Sequence, residues 1–316
     1  MAVTFDQLVS RVKQQLLGYT RDQASITYLV ADMTATASTF QVDTDTVKNI
    51  SRGLVEIDDE LLLVKTFDQA SGTVTVMGAF GAPAAPMGRG VEGTTAASHL
   101  TNAIVTDDPM YPRVRIKEAI NDTIQATFPD LWVFGEYEFP KIAARYEYPV
   151  PADVEDVYKV TVNTIGPSAV WFPLSSWRFN PTASTTAGQV KPSPTPTGKT
   201  IQIMRDSIVP GRNIRVEYIK KPTVLTNNSD DFSTVTGYPE RYVDLIIYGT
   251  MWRLLPAYES ARLQQDAIEA TERAPLVPTG AGSNASKYYM ALYQQRLLEE
   301  RTRLQRLFES YQTFNG

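Results

Sequence analysis

Apolar residues follow helical spacing in several segments that flank two long blocks without it, and this alternation restricts the chain to a mixed architecture. Thr4-Phe5-Asp6-Gln7 forms a capping box, in which the Thr4 hydroxyl and the Gln7 side chain can satisfy each other's free backbone N–H groups. Phe5, Leu8, Val9, Val12, Leu16 and Leu17 then share one helical face, and Gly18 is a natural stop. Pro112 opens a second run, with Ile116, Ile120, Ile124 and Phe128 four apart until Pro129 ends it. A third starts at Pro239-Glu240 and is apolar around almost its whole circumference through Leu255, which predicts a central core helix broken by Pro256. A polar helix over 258–273, a loop over 275–283 and a long helix over 284–311 follow.

The first intervening block, 26–106, divides into β-rich runs at 38–42, 54–58, 60–65, 73–77 and 103–106. Asp58-Asp59 and the segment 68–72 read as hairpin connections. The second block, 132–224, carries strand patterns at 146–150, 157–162, 201–203 and 214–219. Its proline-rich stretch 181–200 is poorly suited to strand hydrogen bonding and predicts a loop. The expected fold class is α+β: a helical body of N-terminal, central and long C-terminal helices, with two inserted antiparallel β-modules. The expected partition is 1–24 with 108–130 as the first part of the body and 25–107 as an inserted β-barrel or sandwich. Residues 131–236 then make a second β-domain, and 237–316 complete the body with a C-terminal docking helix.

The 316 residues are 43% apolar and 21% charged, which excludes a disordered or fibrous chain. There is no cysteine and a single histidine, His99. Thiolate metal sites, cysteine nucleophiles and multi-histidine metal centres are therefore out, and any Ser–His–Asp arrangement would have to use His99. The expectation is a protein that is not an enzyme, with no catalytic residue, cofactor or metal. A net charge of −5 argues against a dedicated phosphate-backbone binder. Residues 1–18 lack the unbroken apolar stretch of a signal peptide, and the densest apolar run, 242–255, is too short to span a membrane.

Three local patterns invite a chemical reading and resist it. Gly198-Lys199-Thr200 ends like a phosphate loop, but Ser193 stands where the pattern needs glycine and a strand follows, so a turn leading into that strand is the better reading. Gly78, Gly81, Gly88 and Gly90 lack dinucleotide-loop spacing and read as an inter-strand loop. Asp43 with Asp45, or Asp58, Asp59 and Glu60, could offer oxygens to calcium, yet no EF-hand spacing follows and turn carboxylates are the plainer account.

The final helix places Met290, Leu297, Leu304 and Tyr311 seven apart, with Tyr293 and Leu307 between, as a narrow seam. Glu299 and Glu300 lie beside Arg296, Arg301, Arg303 and Arg306, a charged face able to make i,i+4 pairs or to meet a partner.

The segment 87–99, with Arg89, Gly90, Gly93, Thr94 and His99, resembles an Arg-Gly-x-x-Gly-Thr-x-Ala-Ala-x-His element that recurs in β-modules of tailed-phage neck and tail proteins. In that setting it is a structural strand–turn element. Pro151-Ala152-Asp153-Val154-Glu155-Asp156-Val157, Trp171-Phe172-Pro173-Leu174 and the run 216–223 resemble the central β-domain of phage head-to-tail adaptor proteins. The segments 238–255 and 289–303 resemble their helical body and C-terminal arm. The resemblance implies a virion neck protein, made in the host cytoplasm, that forms a homo-oligomeric ring of about twelve copies beneath the portal. Its implied partners are the portal, a tail or tail-completion protein and further copies of itself, with double-stranded DNA passing through without specific binding and no membrane involved. Portal contact is expected on Arg296, Leu297, Arg301, Arg303, Leu304, Arg306, Leu307 and Tyr311. Rival readings are a tail-completion, tail-tube or baseplate component, whose ring would be sixfold or threefold, and a carboxylate-pair hydrolase.

Overall fold

A computed structural model describes residues 2–17, 25–46, 50, 52–78, 87–164, 170–182, 197–204, 208–266 and 281–308. The chain divides into two compact units, one of 1–4, 123–245 and 293–316, the other of 5–122 and 246–292.

The second unit is organised by one curled antiparallel sheet. Its strands are β1 (Ser25–Tyr28), β2 (Thr39–Gln41), β3 (Leu54–Ile57), β4 (Glu60–Asp68), β5 (Thr73–Val76) and β6 (Ile104–Asp107), in the order β1-β6-β3-β4-β5-β2. The sheet curls until its ends approach: Leu29 bridges Val42, and the Val30 N–H donates to the Gln41 carbonyl at 3.0 Å. Alternate residues point inward, so Leu29, Phe40, Val55, Ile57, Leu62, Val64, Val74, Val76 and Val105 form one buried cluster. Ile57 pairs with Glu60 across Asp58-Asp59, a two-residue hairpin that requires the left-handed backbone found at Asp58, φ 52°.

Two helices are tied to β3 in this unit. Lys13 of α1 (Phe5–Leu17) reaches Glu56 at 3.1 Å, and the Arg113 backbone N–H opening α2 (Arg113–Ala126) donates to the same carboxylate. Arg113 also pairs with Asp6 and, at 3.1 Å, with Asp59, which Lys117 meets at 2.7 Å.

The first unit holds a two-layer sandwich. One sheet runs β10 (Trp171–Pro173), β9 (Asp156–Asn163), β13 (Asn213–Lys220), β7 (Val133–Pro140); the other runs β11 (Trp177–Asn180), β12 (Thr200–Ile203), β8 (Glu147–Pro149). Tyr148, Val150, Ile201 and Ile203 from the smaller sheet share a buried cluster with Val160, Val162, Ile214 and Val216 from the larger. Gly135 of β7 lies opposite Tyr218 of β13, and the tyrosine ring covers it so closely that a Cβ there would fall 2.4 Å from the ring. The short helix α3 (Phe232–Thr236) is capped by Asp231, whose side chain accepts from the Thr234 N–H, and ends at Gly237 with φ 77°.

A helical body with inserted β-modules is not what forms. Thirteen strands stand among the described residues, and the two buried clusters quoted above are built from strands and the turns joining them. The helices contribute no residue to either cluster: α1 buries Phe5, Leu8, Val9 and Val12 along one stripe, and α2 buries Ile116, Ile120 and Ile124. β1, β7, β10 and β11 were not among the expected strands.

Pro256 does not break its helix either. α4 (Val243–Asp266) runs through it, and α5 (Ala281–Leu307) follows. Proline cannot donate to the carbonyl four residues back, which is that of Trp252. The buried Ser286 hydroxyl of α5 donates to this carbonyl at 2.9 Å, replacing the missing bond.

Candidate functional site

The 87–99 motif folds around one carboxylate. Glu60, at the start of β4 and 1% exposed, accepts five hydrogen bonds. Arg89 Nε and Nη2 donate to its two oxygens at 2.6 and 2.9 Å, the Gly90 and Ala97 N–H groups at 3.0 and 2.9 Å, and His99 Nε2 lies 2.9 Å away. Arg89 spends its remaining N–H groups on the carbonyls of Thr34, Ala37 and Ala97, so all five guanidinium donors are used. Gly90 turns with φ 59°, and a Cβ there would fall 2.7 Å from the Ala96 nitrogen. Gly93 also takes positive φ, at 84°. The Thr94 hydroxyl accepts from the Leu61 N–H and donates to the Val91 carbonyl, closing the turn onto β4.

His99 is held between two carboxylates, Nδ1 at 2.8 Å from Asp58 and Nε2 on Glu60. A neutral imidazole has one N–H and cannot donate to both. Burial opposes the charged ring, but the hydrogen bonds and charges of Glu60 and Asp58 outweigh it and raise the His99 pKa. For Glu60 burial likewise favours the neutral form, and the bonds from Arg89, His99 and the Ala97 N–H overcome it, holding the carboxyl at about 2. With every acceptor and donor engaged, the arrangement locks a loop to a strand.

The remaining sequence candidates find ordinary places. Asp59 and Glu60 are taken by protein cations, and Asp43 caps the Asp45 N–H. Gly198 turns with φ 68° into β12, and Lys199 donates to the Val154 carbonyl, the strand-leading turn expected of Gly198-Lys199-Thr200. Gly78, Gly88 and Gly90 fall in the connection after β5, and Gly81 lies outside the described residues.

Within the first unit, the part of α5 from Tyr293 onward has two faces. Tyr293, Glu300 and Leu304 are buried and Leu297 half-buried. Glu300 pairs with Arg241 at 2.9 Å and with Arg296 at 3.3 Å, and Arg301 pairs with Asp130 at 3.1 Å. Phe308 stacks on Phe134 of β7 with ring centroids 4.0 Å apart and meets Tyr158 of β9 edge-on. Leu298 and Leu307 are each 63% exposed. Arg303 and Arg306, also exposed, form no salt bridge among the described residues. Met290 is exposed, and Tyr311 lies outside the described residues. The expected seam is thus divided, with Leu297 and Leu304 turned toward the protein and Leu307 toward solvent.

A family model described as the SU10 adaptor protein matches residues 94–312, more than two thirds of the chain. The chain belongs to this phage head-to-tail adaptor family. The adaptor match begins at Thr94, so it takes in His99, the sandwich and α5, while β1 to β5 and Arg89 precede it. No curated protein matches the adaptor chain. Membership makes it a structural phage protein that meets other head and tail proteins, and points to the virion neck. No described helix of the adaptor is long and apolar enough to cross a membrane. Sequence reasoning missed Glu60 as the centre of the motif; the available signal was a carboxylate at the head of the apolar run 61–64.

Proposed function

We propose that the chain assembles as a ring of about twelve copies beneath the portal, leaves a channel for double-stranded DNA and offers a surface for the tail. The observation that carries this reading is the exposed part of α5, where Leu298, Arg303 and Arg306 stand away from the packed stripe of Tyr293, Glu300 and Leu304, and Leu307 is exposed at the edge of that stripe. Exposed leucines beside arginines able to fork onto carboxylates suit a helix that docks on another protein. Portal contact is assigned to this face: Arg303, Arg306 and Leu307 directly, Arg296 and Arg301 at its margins, Leu297 and Leu304 as the packing that fixes the helix, and Tyr311 beyond it. The net charge of −5 suits a channel through which DNA slides without being gripped.

Electron microscopy of the purified protein, alone and mixed with portal, tests the reading. A ring sharing the portal's symmetry is expected. A sixfold or threefold ring, or no association with portal, contradicts it.

A further inference from the structure

An antiparallel strand with one face on a core normally turns polar residues outward. β1 and the residues after it turn apolar ones outward as well. Thr27 and Leu29 point inward and are buried, while Ile26, Tyr28 and Val30 point outward and are 46%, 41% and 52% exposed. Ile104 of β6, directly opposite Tyr28, extends the same strip at 52% exposed. The segments 25–46 and 99–112 that surround it contain Asp32, Asp43, Asp45, Asp107 and Asp108 and no lysine or arginine. Among the described residues, Asp32, Asp43, Asp45 and Asp108 pair with backbone or hydroxyl groups or with nothing, and with no cation. Exposed apolar surface fringed by charge of one sign marks a protein contact.

A second surface has the opposite charge. β7 ends, β8 begins, β12 ends and β13 begins at one end of the sandwich, since Pro140 pairs with Asn213 and Gln202 with Glu147. Ile142, Tyr146, Met204 and Val209 are exposed on this rim. Its described residues 140–146 and 208–213 hold the half-buried Arg145 and Arg212, the buried Lys141 and no acid, Glu147 at the start of β8 accepts from the Thr200 hydroxyl, and the intervening 205–207 add no net charge. Lys141 and Arg145 donate to the carbonyls of Arg145 and Glu147, and none of the three cations has a carboxylate partner among the described residues.

We infer that the acidic apolar strip of one copy is covered by the basic apolar rim of the next. The occupant is a second copy because the same chain carries both halves of the match, apolar against apolar and carboxylate against cation. Two different patches meeting head to tail make a heterologous contact, the kind that closes a ring or extends a filament. This rests on the ring reading above and supplies the surfaces that would join its copies.

The chain's lack of cysteine makes the test specific. Ile104→Cys is placed in one preparation of the full chain and Ile142→Cys in another, both exposed positions, and each is treated with a short bismaleimide alone and after mixing. Circular dichroism confirms that both are folded. Cross-linked dimer in the mixture, absent from either preparation alone, and its loss when Arg145→Glu and Arg212→Glu are added to the rim-bearing chain, is the expected result. No dimer in the mixture, or dimer from Ile104→Cys alone, overturns the contact. Imaging the unmodified protein separates the two readings: rings without the mixed cross-link place the joint elsewhere, whereas the cross-link in filaments or open chains keeps the contact and removes the closed ring.

Discussion

Arg89 grips Glu60 with two parallel bonds, Nε to Oε1 at 2.6 Å and Nη2 to Oε2 at 2.9 Å, and the two side chains are 0% and 1% exposed. A fork of this kind fixes direction as well as charge. Removing one partner leaves the other charge buried. Glu60→Gln should therefore cost on the order of 3–5 kcal/mol of unfolding free energy. Arg89→Lys should recover little of it in the reverse test, because an ammonium cannot send five N–H groups in the directions of Glu60, Thr34, Ala37 and Ala97. Urea unfolding followed by near-UV circular dichroism checks both; midpoints equal to the wild type would remove Glu60 from the centre of the fold.

The pH dependence follows from the same cluster. The His99 pKa is raised above 6.5, so its contribution is present in full below that value and is lost as pH rises through the raised one. Glu60 is lowered from 4.5 to about 2, so its contribution is present above 4.5 and is lost as pH falls toward 2. The two together predict a stability plateau between those ordinary values, with an alkaline decline that His99→Gln flattens while the acid decline persists. Melting curves at a series of pH values measure it. An alkaline decline unchanged in the variant would show that His99 does not carry it.

The Ser286 hydroxyl stands in for the N–H that Pro256 lacks. Ser286→Ala should leave the Trp252 carbonyl unpaired and cost about 1–3 kcal/mol. In a Pro256→Ala background, where residue 256 can donate its own N–H, the same change should cost markedly less. A double-mutant cycle by thermal denaturation reads the difference, and equal costs in both backgrounds would contradict the replacement.

Gly135→Ala should destabilise the sandwich by roughly 1–3 kcal/mol, since the new Cβ meets the Tyr218 ring. Tyr218→Ala should abolish that increment. If Gly135→Ala costs the same with and without the tyrosine, the close contact is not the cause.

What was legible in the sequence was local. Ile116, Ile120 and Ile124 announce α2 because four-residue spacing puts them on one face, and all three are fully buried. The Arg89–His99 motif is visible because its turn residues are contiguous; Glu60, 29 residues before Arg89, is not, since only the backbone bonds of Gly88 and Val91 with Leu63 and Leu61 of β4 bring it there. β1 escaped notice because its outward positions are apolar, which erases the alternation that marks a half-buried strand. β7 was hidden by Gly135, whose support comes from Tyr218 far along the chain. Helices dominate the sequence pattern for the same reason: a helical stripe is complete within its own segment, while a sheet core depends on register between distant strands. Pro256 reads as a helix break in the sequence because the hydroxyl that compensates for it belongs to another helix.

The most direct test of the adaptor account is the portal affinity of a chain altered only on the outer face of α5. Arg303→Glu, Arg306→Glu and Leu307→Glu together leave Tyr293, Glu300, Leu304 and Phe308 in place, so the helix should stay packed and the melting temperature close to that of the wild type. Binding to purified portal, followed by sedimentation, should be lost in this chain and retained when Lys65, an exposed residue of β4, is changed to Glu as a charge control. A triple variant that is folded and still sediments with portal at the wild-type ratio would show that the helix does not make the contact.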